Sequence, residues 1–262
     1  MELAGKAVVV TGGTRGVGAG IAKAFLGAGA DVVACARRPP DEPVELGGRK
    51  AEFRPLDLRE PDAVRAFFAE VAADYERLDV LVNNAGGTPY RLLDEGEAER
   101  HARVVELNLT APLTASLAAR PYLRAARGSV VMIGSVSGGR PSPGSAAYGA
   151  AKAGLESLAR SMAVEWAPEV RVNTLVLGMV RTELSELHYG DAEGVARVGA
   201  TVPLGRLAEP EEVGAAAVFL ASAKASYISG ASLLVHGGGE RPAFLAAATV
   251  NQRVNSLEGN GR

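Results

Sequence analysis

The sequence predicts a doubly wound α/β fold, a parallel sheet with helices packed on both faces. Three observations carry that reading. Short β-rich runs recur along the 262 residues, each bounded by Gly, Pro, Asn or Asp. The runs are continuously apolar rather than alternating, as strands buried on both faces are. Longer helix-like stretches separate them, so strand and helix alternate along the whole chain, in a length that suits one large domain.

Taken in order, residues 7–11 form the first strand and run into a glycine turn, after which 17–26 reads as a helix. Residues 31–36 are the second strand and 52–56 a weaker third. The helix predicted over 61–76 opens on Pro61, which has no N–H to lose in a first turn. It carries Val64, Phe67, Phe68 and Val71 on one face. Strands follow at 80–83, 129–133, 170–176 and 232–236, with long alanine-rich helices over 109–126 and 148–166. A further helix, 210–220, starts after Glu209. Residues 178–208 break the rhythm as a long connection with Gly178, Gly190, Gly194, Gly199 and Gly205 as pivots, and read as a mobile substrate lid. The expectation is a single nucleotide-binding domain over 1–250, lid included, followed by a polar tail over 251–262.

Composition narrows the function. Hydrophobic residues make up 47% and charged residues 22%, with a formal net charge of -2, so no basic face is offered to nucleic acid or acidic membranes. No apolar run reaches the roughly eighteen residues of a membrane span. No basic-then-apolar leader opens the chain, and the expected location is the cytoplasm. Cys35 is the one cysteine, which excludes an intrachain disulfide; its apolar surroundings make it a small core residue. His101, His188 and His236 have no metal-ligand spacing, and no metal is expected.

The turn Thr11-Gly12-Gly13-Thr14-Arg15-Gly16-Val17-Gly18 joins the first strand to its helix. Gly12 lets the backbone turn sharply, Gly16 lets it approach a pyrophosphate, and Gly18 permits close helix–strand packing. The helix N-terminus then offers unpaired N–H groups to phosphate. An acidic residue about twenty positions on would hold the ribose 2′-hydroxyl of NAD. Ala36 stands there instead, followed by Arg37 and Arg38. With Arg15 in the turn, this favours NADP(H) over NAD(H), the alternative, because a 2′-phosphate needs cations. Arg38 reads equally well as a solvated surface residue.

Tyr148 and Lys152 are four residues apart and share a helix face. An ammonium beside a phenol lowers the phenol's pKa and makes it a proton donor and acceptor near neutral pH. Alone, such a pair is usually a surface neighbour pair, Ser135 a turn residue and Asn108 a cap; the joint pattern gives them weight.

With Asn83-Asn84-Ala85-Gly86 added, the chain resembles the classical short-chain dehydrogenase/reductase family over nearly its whole length. The resemblance implies a Rossmann-type, seven-stranded parallel sheet with three helices on each face. It makes Asn108, Ser135, Tyr148 and Lys152 the catalytic tetrad. Tyr148 exchanges the proton, Ser135 holds the substrate oxygen, Lys152 also holds the nicotinamide ribose, and the Asn108 carbonyl starts a water relay. It aligns Thr14, Val17, Asp57, Leu58, Asn84, Ala85, Gly86, Gly178, Val180 and Thr182 along the cofactor. Asp57 would meet adenine, although capping the helix near Pro61 is an equal reading. Leu177-Gly178 replaces the family's frequent Pro-Gly and should loosen the backbone there.

By position, Thr88, Tyr90, Ser137, Gly139, Pro143 and Leu184 should line the substrate pocket. Met179, Val180, Leu184 and Leu187 make the lid apolar, so a hydrophobic or mixed carbonyl or alcohol compound is expected and phosphorylated sugars are disfavoured. The three-residue gap between Tyr148 and Lys152 resembles carbonyl chemistry rather than enoyl reduction. In the family the two long helices pair between subunits, implying a homotetramer or homodimer. Leu233, Val235 and 242–248 offer a second interface. A catalytically silent dinucleotide sensor or scaffold on the same fold is the competing reading.

Overall fold

The computed structural model describes residues 2–248, so the expected tail over 251–262 lies outside them. The described strands are β1 (Ala7–Thr11), β2 (Asp31–Ala36), β3 (Glu45–Leu46), β4 (Arg49–Lys50), β5 (Glu52–Pro55), β6 (Val80–Asn83), β7 (Ser129–Ser135), β8 (Arg171–Leu177) and β9 (Ser232–Val235). The helices are α1 (Gly16–Gly27), α2 (Pro61–Asp74), α3 (Ala98–Val105), α4 (Ala111–Ala126), α5 (Ala146–Glu165), α6 (Ser185–Tyr189), α7 (Ala192–Thr201), α8 (Pro210–Ala221) and α9 (Ala243–Ala247).

Seven strands form one parallel sheet in the order β5-β2-β1-β6-β7-β8-β9. β1 is buried along its length, and its side chains divide between two cores. Val8 and Val10 meet Ile21, Phe25, Val213 and Leu220 on one face, while Val9 meets Val64, Phe68, Leu123 and Leu155 on the other. A continuously apolar strand is therefore what the two helix layers demand. Chain order reverses between β1 and β6, and this opens a crevice at the carboxyl ends of the central strands.

The helix layers are not equal. α2, α4 and α5 cover one face, but on the other a third helix is missing between β2 and β5. Pro39, Pro40, Pro43, Gly47 and Gly48 preclude a helix there, and the β3–β4 hairpin takes its place, with Val44 and Ala51 joining the core. The long connection over 178–208 carries α6 and α7, whose short length hid their periodicity. α3 was equally hidden, since its sequence AERHARVV spans only eight residues and half of them are polar. It runs through a π turn, Glu106–Thr110, into α4, so the helix expected from 109 begins earlier and is bulged.

The two edge strands, β5 and β9, have no fully buried residue. Leu233 and Leu234 are 38% and 56% exposed on the β9 edge. Trp166 is buried beneath the Arg120 guanidinium, which lies 5.6 Å from its ring centre, and Cys35 is buried with its thiol pushed up to about 12 by desolvation. Among the described residues, no helix is long and apolar enough to cross a membrane, and no group of three or more His, Cys, Asp or Glu could hold a metal ion.

Candidate active site

A cleft of about 570 Å³ opens at the reversal point between β1 and β6. Its floor is the glycine turn, and the turn is held by side chains from the next strand. The buried Thr11 Oγ1 accepts the backbone N–H of both Asn84 and Ala85 at 3.0 Å and donates to the Val82 carbonyl. The Asn84 amide donates to the carbonyls of Thr11 and Gly12 at 2.9 and 3.2 Å. A Cβ on Gly18 would stand 2.1 Å from the Gly12 carbonyl, so glycine there lets the helix meet its own turn. Gly12 and Gly16 have φ of +63° and +50°, left-handed backbone that favours glycine. Arg15, at the N-cap of α1, leaves the first N–H groups without a side-chain cap, and no acid sits in the first turn. That end of the helix suits phosphate.

Thr14, Arg15, Val17, Ala36, Arg37, Asp57, Leu58, Asn84, Ala85 and Gly86 all line this cleft, as do Gly178, Val180 and Thr182 on its far wall. No carboxylate ends β2. Asp57 does not cap α2, whose N-cap is Glu60. It instead takes the Arg59 guanidinium at 2.9 and 2.5 Å, and that cation holds its carboxyl down to about 2. Arg59, two residues beyond Asp57, had escaped the sequence reading although it lines the same wall. Asn83 lies deeper, its amide donating to Ser116 Oγ at 2.8 Å and tying β6 to α4.

At the other end the tetrad residues converge. Ser135 closes β7 and its hydroxyl accepts the Ser137 N–H; Tyr148 and Lys152 come from the first two turns of α5. Asn108 is fully buried in the π turn, where its Oδ1 accepts the Gly87 N–H and its Nδ2 donates to the carbonyls of Gly87 and Val104, all at 2.9 Å. The α-helical donor for the Asn108 carbonyl would be residue 112, which is Pro112 and has no N–H. That spacing is legible in the sequence alone. A Cβ on Gly86 would lie 2.5 Å from Asn108 Oδ1 and 3.4 Å from Lys152 Nζ, which explains the glycine.

One electrostatic expectation is corrected. Lys152 is buried and donates to the Ile133 carbonyl at 2.7 Å, with Nζ 5.4 Å from the Tyr148 ring centre rather than paired with its hydroxyl. Burial pulls the Lys152 pKa down to about 8. Burial also raises the Tyr148 pKa, and it is a hydrogen bond from Ser135 that draws it back. Tyr189 of α6 raises it further through its charge, an influence that the sequence did not suggest.

The expected loosening at Leu177-Gly178 is absent. Leu177 pairs with Ser135 and Val235, the Gly178 N–H donates to the Val235 carbonyl at 2.9 Å, and a Cβ at 178 would stand 2.8 Å from that of His236. Glycine admits the return of the chain. The substrate residues are dispersed. Leu184 lines the cleft, but Thr88 lines a neighbouring cavity, and Gly139 and Met179 line a groove beside β9. Ser137, Tyr90 and Pro143 do not border the cleft; the Tyr90 ring lies over Gly144 and is 72% exposed. The surroundings are also more basic than expected, for Arg91, Arg100 and Arg103 border the cavity next to the cleft.

Comparison with known proteins agrees with this geometry. Residues 12–240 match the family model described as enoyl-(acyl carrier protein) reductase. The chain is 39% identical to the L-fucose dehydrogenase of Oryctolagus cuniculus, over 90% of this chain and 86% of the relative. It is 36% identical to the 3-oxoacyl-[acyl-carrier-protein] reductase of Chlamydia muridarum, over 90% and 98%. The solved structure of Thermoplasma acidophilum aldohexose dehydrogenase superposes with a TM-score of 0.84 at 32% identity, covering 90% of this chain and 94% of that one. The chain belongs to the short-chain dehydrogenase/reductase family. It is an NAD(P)-dependent oxidoreductase.

Proposed function

We propose that the protein interconverts a ketone and a secondary alcohol, with Tyr148 as the proton donor and acceptor and NADP(H) as the preferred nucleotide. The observation that carries this is the convergence of Ser135, Tyr148 and Lys152 at one end of a cleft whose other end holds Arg37 and lacks a carboxylate after β2. The nicotinamide nucleotide supplies the hydride when bound. Ser135 and Tyr148 share the substrate oxygen, so that charge growing on it meets two hydroxyl donors. Tyr148 gives its proton to that oxygen in reduction and recovers it in oxidation. Lys152 uses one donor on Ile133 and has two more for ribose hydroxyls, while the Ser135 hydroxyl favours the phenolate. The Asn108 carbonyl, deprived of an α-helical donor, suits a water leading to Lys152. Gly12, Gly16 and Gly18 with Arg15 suit the diphosphate, and Arg37 the 2′-phosphate.

The relatives named above are two sugar dehydrogenases and a 3-oxoacyl reductase, which have carbonyl–alcohol exchange in common rather than a substrate. We assign this chain the shared chemistry, and its three-residue Tyr148–Lys152 gap supports that over enoyl reduction. The exposed Leu233 and Leu234 of β9, with Leu117 of α4 and Val164 of α5 at 55% and 80% exposure, support a homotetramer or a homodimer. Light scattering at micromolar concentration tests the assembly, a monomer being the adverse result. For the chemistry, kcat/KM is measured for a ketone panel with NADPH and NADH. Turnover with a preference for NADPH is expected; a clear preference for NADH overturns the nucleotide assignment.

A further inference from the structure

Beside the cleft lies a second cavity of about 290 Å³, enclosed by the 87–91 loop, α3 and the start of α5. Gly87, Arg103 and Leu107 belong to the walls of both, so the two cavities adjoin. Arg100, Arg103, Val104 and Leu107 face the cavity at i, i+3, i+4 and i+7, and Arg91 enters from the loop. Glu99 and Glu106 fall about 100° around the helix, and no carboxylate lines the cavity.

The positive charge is uncompensated. The Arg91 guanidinium donates to the Glu95 backbone carbonyl, at 3.0 Å, and among the described residues neither the Arg100 nor the Arg103 side chain has an ion pair or hydrogen bond. The N-terminus of the twenty-residue α5 adds its partial charge. Ser145, Ala146 and Ala147 line the cavity, Ser145 provides no side-chain cap, and the first turn has no acid. His101 lines it too, and its Nε2 is buried without a hydrogen-bond partner. Three guanidinium groups and an uncapped helix start around one small space leave a field that an oxyanion would satisfy.

We propose that this cavity is the subsite for a carboxylate or phosphoryl group carried by the substrate, which makes the substrate an anionic ketone or hydroxy compound. The proposal rests on the assignment of Tyr148 and the cleft above. It is tested by calorimetric titration of the full chain, saturated with NADP⁺, with acetoacetate, 2-oxopropylphosphonate and ethyl acetoacetate. The first two probes carry the carboxylate and the phosphoryl group, and the ester is the uncharged control.

At least one anion should bind about tenfold or more tightly than the ester, and Arg100→Gln should erase that advantage. Arg100 does not line the nucleotide cleft, so an NADP⁺ affinity within about twofold of the original shows that the variant is folded. Equal affinity for anions and ester, no measurable anion binding, or an anion preference that survives Arg100→Gln overturns the subsite. Failure of the enzyme to reduce any ketone when supplied with NADPH counts instead against the assigned reaction, and the titrations tell the two apart.

Discussion

The two ends of the cleft are built on opposite principles. At the glycine turn the chain is held by backbone-directed hydrogen bonds from Thr11 and Asn84 and by a helix packed so closely that Gly18 has no room for a methyl group. At the Tyr148 end, ionisable side chains are taken out of water with few partners, Lys152 having one carbonyl acceptor. The first end gains stability from its precision. The second gives some up, since a buried cation costs free energy that the single hydrogen bond only partly offsets. In the proposed function the former holds the nucleotide and the latter does the proton chemistry.

Breaking the reaction end should have the largest effect. Tyr148→Phe removes the proton donor and should lower kcat by about a hundredfold to ten-thousandfold, with nucleotide affinity nearly unchanged by fluorescence titration. An active variant would remove Tyr148 from the mechanism. Next comes the nucleotide phosphate. Arg37→Ala should cut the NADPH-over-NADH ratio of kcat/KM by about tenfold to a hundredfold, the loss of one charged hydrogen-bond set. An unchanged ratio would assign the phosphate to Arg15 or Arg59.

Gly18→Ala sharpens the contrast from the other side. The added methyl meets the Gly12 carbonyl and the pinned Asn84 amide, and unfolding should become easier by about 1–3 kcal/mol, with weakened nucleotide binding. Unaltered urea and nucleotide titrations would mean the turn can yield.

Lys152→Met should do the reverse, losing activity while gaining about 1–3 kcal/mol of stability at pH 7 in protein without added nucleotide. The pH dependence fixes the sign. Lys152 has a folded pKa of about 8 against an ordinary 10.5, so the unfolded chain binds more protons between those values. The penalty is fully present below pH 8 and is relieved as pH rises through that window. The stability gap between Lys152→Met and the original protein, followed by urea midpoint, should narrow from pH 7 to pH 10; a constant gap would assign it to packing.

Much of the nucleotide end was legible because its residues act through backbone geometry close in sequence. Gly12, Gly16 and Gly18 serve a turn of eight residues, and the meaning of each follows from its neighbours. Arg59 was missed because its role depends on Asp57 turning back toward it after β5. The tetrad positions were legible as motifs, but the charge balance among them was not. Whether Lys152 faces a phenol or a carbonyl depends on where Ile133, nineteen residues earlier, presents its oxygen. The hairpin at β3–β4 is legible in Pro39, Pro40, Pro43, Gly47 and Gly48, local breakers that outweigh the implied third helix.

By itself the sequence determined the alternation of strands and helices, the parallel sheet and the glycine turn, because hydrophobic periodicity and backbone sterics are local. Tertiary structure alone decided that Thr11 and Asn84 lock the turn, that burial dominates the charges of Tyr148 and Lys152, and that three arginines gather beside the cleft. Burial and electrostatic field are sums over whatever the fold brings near, and no window along the chain contains them.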